Sequence, residues 1–342
     1  MKKKLRYVAL FFLVVTVFMT INLGSVSFAA KPIIVKMVEN QPETHSYMNC
    51  YRTIKKIAEE KSNHRLKFEF FTGPAAGTDK EMIQSVKMGT VQACESNNYM
   101  AVTERILLVC LPFLFKDFAH LHTVIDGPIG RYINVDAQRN GIKIIDGGWM
   151  DSGFRQITNS KRPINKPDDL RGLKMRVPPI ETAIATMKAL GASPTPIPYP
   201  ELYMALKTKV VDGQENPFEN IYKISLFETQ KYLSVVHYIY FPAPIFWNLK
   251  WWNSLPADLQ TILEEATRAG VAVQREILER EDTRYRNLLR DKGMIITDVA
   301  SPNLALFREK SMKVYEQFAP QIDKTGCHTL ELIKLIQLTE AQ

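Results

Sequence analysis

One long helical segment, from Pro256 to Gly293, limits the folds available to this chain more than any other feature. Apolar residues recur along it at helical spacing, a proline stands in its first turn and a glycine follows its end. At about 1.5 Å per residue the helix would extend about 55 Å, which is longer than a small domain is wide. A coiled coil is the alternative, but Gly270 and imperfect heptads weaken it. We therefore expect one helix of about 256–292 that spans two domains.

The remainder of the chain alternates strand and helix patterns. Clear strands are predicted for "RLKFEFF" and "GLKMRV", and a capped helix is predicted between Thr78 or Asp79 and Gly89. Such alternation indicates parallel βαβ units. The turn-forming residues of 212–217 predict a loop after a strand. No Pro/Ser-rich linker is present, so the chain should cross between domains more than once. The predicted fold class is α/β, a two-domain clam-shell.

The first 29 residues have the features of a cleaved secretory signal. A cationic start precedes an apolar run over 8–17, and Ser27-Phe28-Ala29 supplies small residues for cleavage near Ala29. A retained membrane anchor is the alternative, but the apolar run is short for a spanning helix. We expect an exported, periplasmic or extracytoplasmic protein, which permits one disulfide.

The cysteines are widely spaced and more typical of buried free thiols: Cys50, Cys94, Cys110 and Cys327.

The charge and length of the mature chain exclude some classes of protein. The full chain has 44 basic and 36 acidic residues, and removal of the signal's four cations leaves 40 against 36, a net charge of +4. No basic stripe interleaved with aromatic residues is present, so nucleic acid is not an expected partner. About 313 mature residues favour two domains.

Motifs of catalysis and of cofactor binding are absent from the sequence. There is no G-x-G-x-x-G, P-loop, G-x-S-x-G or H-E-x-x-H pattern. His120 and His122 lie in a segment that reads as a helix, where side chains two residues apart diverge, and no third metal ligand is evident. We therefore expect no cofactor and no metal, and catalysis is unsupported.

Two arginines on predicted strands point to an anion. Arg176 ends the strand "GLKMRV", and Arg155, in "GFRQIT", is expected beside it in the sheet. Ligands of open α/β sheets bind at the carboxyl ends of strands, and an arginine holds a carboxylate by two parallel hydrogen bonds. The alternative for each arginine is an ion pair with a carboxylate such as Asp151 or Glu215.

The strings "GFRQITNSKRPI", "DDLRGLKMRVP", "LGASPTPIPYPELYMALKTKVVDGQENP" and "LPADLQ" resemble a known family. It comprises the extracytoplasmic solute-binding subunits of tripartite ATP-independent periplasmic (TRAP) transporters, the DctP-like group. The resemblance implies a periplasmic-binding-protein fold, a long helix across both domains and a cleft that closes on an organic anion. It covers essentially Ile33 to the C-terminal helix.

The resemblance also implies roles for individual residues. Arg176 corresponds to the principal carboxylate-binding arginine and Arg155 to a second cation, while Asn216 hydrogen-bonds the acid end of the ligand. Tyr199 presents its ring to the ligand or packs beneath the loop. Asn40, with Gln41 and His45 beside it, lines the opposite domain, although helix capping is an alternative for that loop. Further apolar candidates for ligand contact are Trp149, Phe241 and Trp247, and packing in the core is the alternative for each of them.

The sequence departs from the sialic-acid-binding branch at two places. In "CESNN" the acidic contact of that branch aligns with Glu95 or with Asn97, depending on where the count begins, and Pro179 replaces an asparagine. A smaller or more apolar acid is therefore expected, such as a C4-dicarboxylate, a keto acid, or an aromatic or branched monocarboxylate.

The predicted function is capture of an organic acid and its delivery to the small and large membrane subunits of a TRAP transporter, by a monomer. The alternatives are an ABC-type periplasmic binding protein, a secreted enzyme acting on a small acid, and a sensory ligand-binding subunit. The first of these is disfavoured by the 256–293 helix. The expected domains are 30–152 with 242–281, and 153–241 with 282–342.

Overall fold

The computed structural model of the chain describes residues 31–324 and 329–338, so the predicted signal and Cys327 lie outside it. The strands of the described ranges are β1 (Ile33–Glu39), β2 (Leu66–Thr72), β3 (Ala93–Cys94), β4 (Ile142–Lys143), β5 (Trp149–Phe154), β6 (Gln156–Asn159), β7 (Lys174–Val177), β8 (Ser193–Pro196), β9 (Gly213–Asn216), β10 (Tyr232–Val235), β11 (Tyr240–Pro244), β12 (Phe246–Asn248) and β13 (Ile295–Asp298). The helices there are α1 (Tyr47–Lys61), α2 (Asp79–Met88), α3 (Phe118–Ile125), α4 (Pro128–Ala137), α5 (Glu181–Ala189), α6 (Leu202–Lys207), α7 (Phe218–Lys223), α8 (Leu249–Ser254), α9 (Ala257–Asp291), α10 (Ser301–Asp323) and α11 (Thr329–Leu338).

The strands form two larger sheets and a two-stranded one. The first sheet has the order β2-β1-β3-β12-β4, with β1 parallel to β3. The second has the order β13-β10-β6-β9-β7-β8, with β7 parallel to both β8 and β9. Strands β5 and β11 pair with each other in an antiparallel ribbon. The chain passes from the first sheet through β5 to the second, returns through β11, and crosses to the second sheet again through α9, so two of the three passages lie in this ribbon. The fold is α/β, as predicted.

Helix α9 packs against α1, which follows strand β1 of the first sheet, and against α7, which follows strand β9 of the second. Near its middle, a Cβ on Gly270 would meet the Cys50 carbonyl oxygen of α1 at 2.8 Å, so the two helices touch through their backbones. Near its end, the Tyr285 hydroxyl donates to Glu219 of α7 at 3.4 Å, and Leu289 is buried in one cluster with Leu233 of β10. The predicted long helix is confirmed. None of the helices in the described ranges is both long and apolar enough to span a bilayer.

The predicted capped helix is present as α2. Thr78 is its N-cap: the Glu81 backbone N–H donates to the Thr78 hydroxyl at 3.3 Å, and the Thr78 N–H donates to the Glu81 carboxylate at 2.8 Å. Gly89 ends the helix with a φ of 78°, a left-handed conformation that favours glycine. Cys50, Cys94 and Cys110 are buried free thiols.

Two local predictions were wrong. The residues 213–216, predicted as loop, form the buried strand β9, because β6 and β7 on either side supply its backbone partners. Arg155, predicted within a strand, occupies the single irregular residue between β5 and β6. Turn-forming residues are therefore not decisive where neighbouring strands satisfy the backbone.

Candidate ligand-binding site

Arg176 lies at the carboxyl end of β7 and is buried, with 1% of its surface exposed. Its Nε donates to the Ile197 carbonyl at 2.8 Å, and it makes no salt bridge with any carboxylate of the described residues. Burial lowers the pKa of Arg176 to about 10; the charge of Glu215 opposes this and that of Arg155 adds to it. A buried guanidinium without a counter-ion is unfavourable, so the site is suited to an anion.

Arg155 stands close by, but it already has a counter-ion. Its Nε and Nη2 donate to the Glu215 carboxylate, and Nη2 also donates to Asn216 Oδ1 at 2.9 Å. Burial would lower the pKa of Arg155, but the charge and hydrogen bonds of Glu215 overcome this and raise it. The guanidinium lies 5.0 Å from the centre of the Phe241 ring. The ion-pair alternative therefore applies to Arg155, and only Arg176 is left with an uncompensated charge in this pair.

Asn216 and Tyr199 adjoin the two arginines. Asn216 ends β9, whose register with β7 aligns Gln214 with Arg176. The Tyr199 hydroxyl accepts a hydrogen bond from Asn220 Nδ2 at 3.4 Å, and its ring is 7% exposed. Burial raises the pKa of Tyr199, and the nearby Arg176 opposes this.

The facing wall carries three carboxyl groups, Glu39, Asp79 and Glu95, here named the carboxyl cluster. Strands β1 and β3 are parallel with Val38 opposite Cys94, so Glu39 and Glu95 follow side by side at the carboxyl end of this sheet. Asp79 begins α2 and accepts the Asn97 backbone N–H at 2.7 Å. All three are at most 8% exposed.

The pKa of each member of the carboxyl cluster is raised, first of all by burial. The pKa of Glu39 reaches about 8. The pKa of Glu95 lies well above its ordinary value because the charges of Glu39 and Asp79 add to the effect of burial. For Asp79, hydrogen bonding from Asn97 and the positive charge of Arg176 oppose the rise.

Two pockets lie where residues of the facing walls meet. One, of about 420 Å³, is lined by Asn40 and Pro74 on one side and by Tyr199 and Tyr203 on the other. The second, of about 240 Å³, joins Asp79 and Asn97 to Pro179 and Pro198, which flank the residues that end β7 and β8. We call the whole region the cleft; its walls are Arg155, Arg176, Tyr199 and Asn216, and facing them Glu39, Asn40, Asp79, Glu95 and Asn97.

The structure does not bring every sequence candidate to the cleft. Trp149 is fully buried in the core, where its indole N–H donates to Asn134 Oδ1 at 2.9 Å. Trp247 is likewise buried and stacks on Trp251. Glu95 and Asn97, between which the alignment could not choose, both lie in the facing wall. Asn97 lines the smaller pocket and Glu95 is deeper.

Sequence reasoning missed Glu39 and Asp79 as residues of the cleft. Each had a usable signal: Glu39 is the last residue of a clear strand, and Asp79 is the first residue of a capped helix. Both positions direct side chains toward the carboxyl edge of a sheet. From the sequence, Glu215 is only an alternative partner for an arginine.

His120 and His122, which are two residues apart in α3, have separate partners. His120 Nε2 lies 2.7 Å from the Ile336 carbonyl oxygen, and His122 Nε2 lies 2.8 Å from Asp151 Oδ2. Within the residues that the structure describes, no group of three or more histidine, cysteine or acidic side chains is arranged to hold a metal ion.

The chain is similar in sequence and in fold to known solute-binding proteins. The chain is 30% identical to the 2,3-diketo-L-gulonate-binding periplasmic protein of Escherichia coli, over 75% of this chain and 79% of that protein. It is 29% identical to the C4-dicarboxylate-binding periplasmic protein of Rhodobacter capsulatus, over 91% and 92%. A TRAP periplasmic solute-binding protein from Polaromonas, solved with bound D-erythronate, superposes with a TM-score of 0.84 at 29% identity, over 90% of this chain and 99% of that one. Residues 37–321 match the family as a whole, so the chain belongs to the bacterial extracellular solute-binding proteins of family 7, the DctP family.

Proposed function

We propose that this chain captures an organic acid in the cleft and that Arg176 binds the acid's carboxylate. The observation that carries the proposal is the buried Arg176 guanidinium, which has no carboxylate partner among the described residues and lies next to an arginine that is already neutralised by Glu215. A ligand carboxylate would accept two parallel hydrogen bonds from the terminal nitrogens and remove the unfavourable charge. The relatives named for binding a diketogulonate, a C4-dicarboxylate and erythronate support an acid ligand.

Asn216, Tyr199 and Asn40 complete the proposed first contacts. Asn216 Nδ2 donates to Gln214 at 2.5 Å and its Oδ1 receives Arg155, so its amide is held in one orientation beside the acid end. Tyr199 and Asn40 face each other across the larger pocket. Arg155 acts mainly by holding Asn216 and Glu215 in place.

The proposed domains are 30–152 with 242–281, and 153–241 with 282–342. Two of the three passages between them fall within the β5–β11 ribbon and the third lies in α9; the paired passages support a hinge at the ribbon. The acid would bind the closed arrangement more tightly than the open one, and this difference in affinity alone would drive closure.

The chain is proposed to act outside the cytoplasm, after cleavage near Ala29, and to hand the closed complex to the membrane subunits of a TRAP transporter. Membership of the DctP family and similarity to the periplasmic binding proteins of Escherichia coli and Rhodobacter capsulatus support this role. We expect binding without chemical turnover. Incubation of the protein with each bound acid should leave the acid unchanged by mass spectrometry; formation of a product would contradict the proposal.

The test is a titration of the purified mature chain with a panel of organic acids. Binding is measured as a change in unfolding temperature and by calorimetry. At least one acid should raise the unfolding temperature, as expected for a ligand that binds only the folded state. The rise should disappear in Arg176→Ala and persist in Arg171→Ala, a nearby arginine whose side chain is 73% exposed. An equal rise in all three proteins would refute the assignment of the site.

A further inference from the structure

The carboxyl cluster faces a cleft that has one uncompensated cation. Arg155 and Glu215 form an internal pair, so Arg176 alone offers a positive charge for a ligand. On the opposite wall, Glu39, Asp79 and Glu95 leave no cation for a second acid group. The charge pattern of the cleft therefore favours a ligand with a single carboxylate, placed at Arg176.

Three buried polar atoms of the same wall lack a hydrogen-bond partner among the described residues. They are Glu95 Oε1, Gln41 Oε1 and Asn40 Nδ2, on residues that are 2%, 5% and 4% exposed. Two of these atoms accept hydrogen bonds and one donates. Unpaired polar atoms at such depth are unfavourable, and native proteins rarely leave them so.

Several other acceptors of the cluster are already in use. Glu39 accepts the Gln41 backbone N–H at 3.0 Å and the Tyr51 hydroxyl at 3.3 Å, and Tyr51 in turn accepts the Glu95 N–H at 3.1 Å. Asp79 accepts the Asn97 N–H at 2.7 Å. This network fixes the Glu39 carboxyl group and one oxygen of Asp79, whereas Glu95 Oε1 is a buried acceptor without a partner among the described residues.

We infer that the acid bound here is a polyhydroxylated monocarboxylate, whose hydroxyl groups pair with Glu95, Gln41 and Asn40 while its carboxylate pairs with Arg176. A hydroxyl group both donates and accepts, so neighbouring hydroxyls can satisfy the two acceptors and the donor together. An apolar acid would leave all three unpaired, and a dicarboxylate would bring a negative charge to the carboxyl cluster. This inference rests on the proposed function and narrows its ligand; it differs from the C4-dicarboxylate, the keto acid and the aromatic or branched monocarboxylate that the sequence suggested as examples.

The test compares acids that differ only in the feature at issue. Erythronate, butanoate and succinate each have four carbons. Erythronate has three hydroxyl groups, butanoate has none, and succinate has a second carboxylate instead. Gluconate and hexanoate repeat the first comparison with six carbons. Calorimetric titration at neutral pH should show at least one hydroxylated acid binding about 100-fold or more tightly than its deoxy partner and than succinate, as expected when several buried hydrogen bonds are lost.

Variants then test which residues read the hydroxyl groups. Glu95→Gln retains the shape of the side chain but replaces one of its two oxygens with an NH2 group, which cannot accept a hydrogen bond, and it should weaken binding of the hydroxylated acid about tenfold to a hundredfold. Glu69→Gln, an exposed glutamate on β2, is the matched control and should leave affinity unchanged. Unfolding temperatures without ligand would verify that both variants fold.

The outcomes separate this inference from the proposed function. If succinate or butanoate binds as tightly as the hydroxylated acids and still requires Arg176, the inference is overturned and the proposed function stands. If no acid binds, or if Arg176→Ala binds the acid as tightly as the parent does, both are overturned. If Glu95→Gln binds the hydroxylated acid as well as the parent does, Glu95 does not read the ligand and the inference fails.

Discussion

The two buried arginines of the cleft have opposite electrostatic surroundings. Arg155 is neutralised by Glu215, whereas Arg176 donates only to the Ile197 carbonyl within the described residues. An unpaired buried charge lowers the stability of the ligand-free protein, and a ligand carboxylate recovers the difference as affinity. Stability and binding are therefore divided between the two residues.

This division predicts different results for the same substitution at the two positions. Arg155→Met leaves Glu215 buried without its partner and should reduce the free energy of unfolding by about 3–5 kcal/mol. Arg176→Met removes an unpaired charge and should not reduce the stability of the ligand-free protein. Urea denaturation of both variants measures this. A loss at Arg176→Met as large as at Arg155→Met would mean that Arg176 has a structural partner.

The raised pKa of Glu39 predicts a dependence of stability on pH. The folded chain retains this proton up to about pH 8, whereas the unfolded chain releases it near 4.5. Folded protein therefore binds more protons in this window, and the free energy of unfolding should fall as pH rises, by up to about 1.4 kcal/mol per pH unit. Glu95 and Asp79, also raised, act in the same direction.

Denaturation of Glu39→Gln at pH 5.5, 7 and 8.5 tests that dependence. The variant cannot titrate here, so its stability should change less with pH and should exceed that of the parent at pH 8.5. Glu69→Gln should follow the parent. Parallel curves for Glu39→Gln and the parent would show that Glu39 does not bind a proton in this range.

Close contact between α1 and α9 depends on one small residue in the long helix. A Cβ at Gly270 would stand 2.8 Å from the Cys50 carbonyl oxygen and 2.9 Å from Ile54 Cγ1. Gly270→Ala should therefore destabilise the protein by about 1–3 kcal/mol, although alanine favours an isolated helix. Glu276→Ala, at an exposed position of the same helix, should change stability by less than about 0.5 kcal/mol. A stabilising Gly270→Ala would contradict the close approach of the helices.

The sequence predicted elements well where their own residues determine them. The ends of α2 and the length of α9 follow from local caps and periodicity. Strand β9 could not be predicted, because Gly213 to Asn216 are turn-forming residues that become a strand only between β6 and β7. An ion pair of Glu215 with either arginine is an alternative that the sequence offers; the register between β6 and β9, which are distant in the sequence, assigns Glu215 to Arg155.

At the scale of the whole molecule, one buried network joins the turn before α1 to α7. The Ser46 backbone N–H and hydroxyl donate to Glu219 at 2.9 Å and 2.6 Å, and Gln274 of α9 donates to Ser46 at 3.0 Å. Ser46 and Glu219 belong to different proposed domains. The network is therefore expected to stabilise the closed arrangement.

Ser46→Ala should weaken ligand binding although Ser46 is not a proposed ligand contact. Loss of its hydroxyl removes one hydrogen bond to a carboxylate from the closed state, which should reduce affinity about fivefold to tenfold. Calorimetry measures the affinity. At the same ligand concentration, X-ray scattering should show a larger fraction of expanded molecules for the variant than for the parent. Affinity equal to that of the parent would indicate that this contact persists when the cleft opens.

The most direct test is a crystal structure of the mature chain with a bound acid. A ligand carboxylate oxygen should lie within about 3 Å of each terminal nitrogen of Arg176. The Arg155–Glu215 pair should be intact, and the rest of the ligand should face the wall that contains Glu95. An acid held elsewhere, or one whose carboxylate leaves Arg176 without contact, would contradict the central claim.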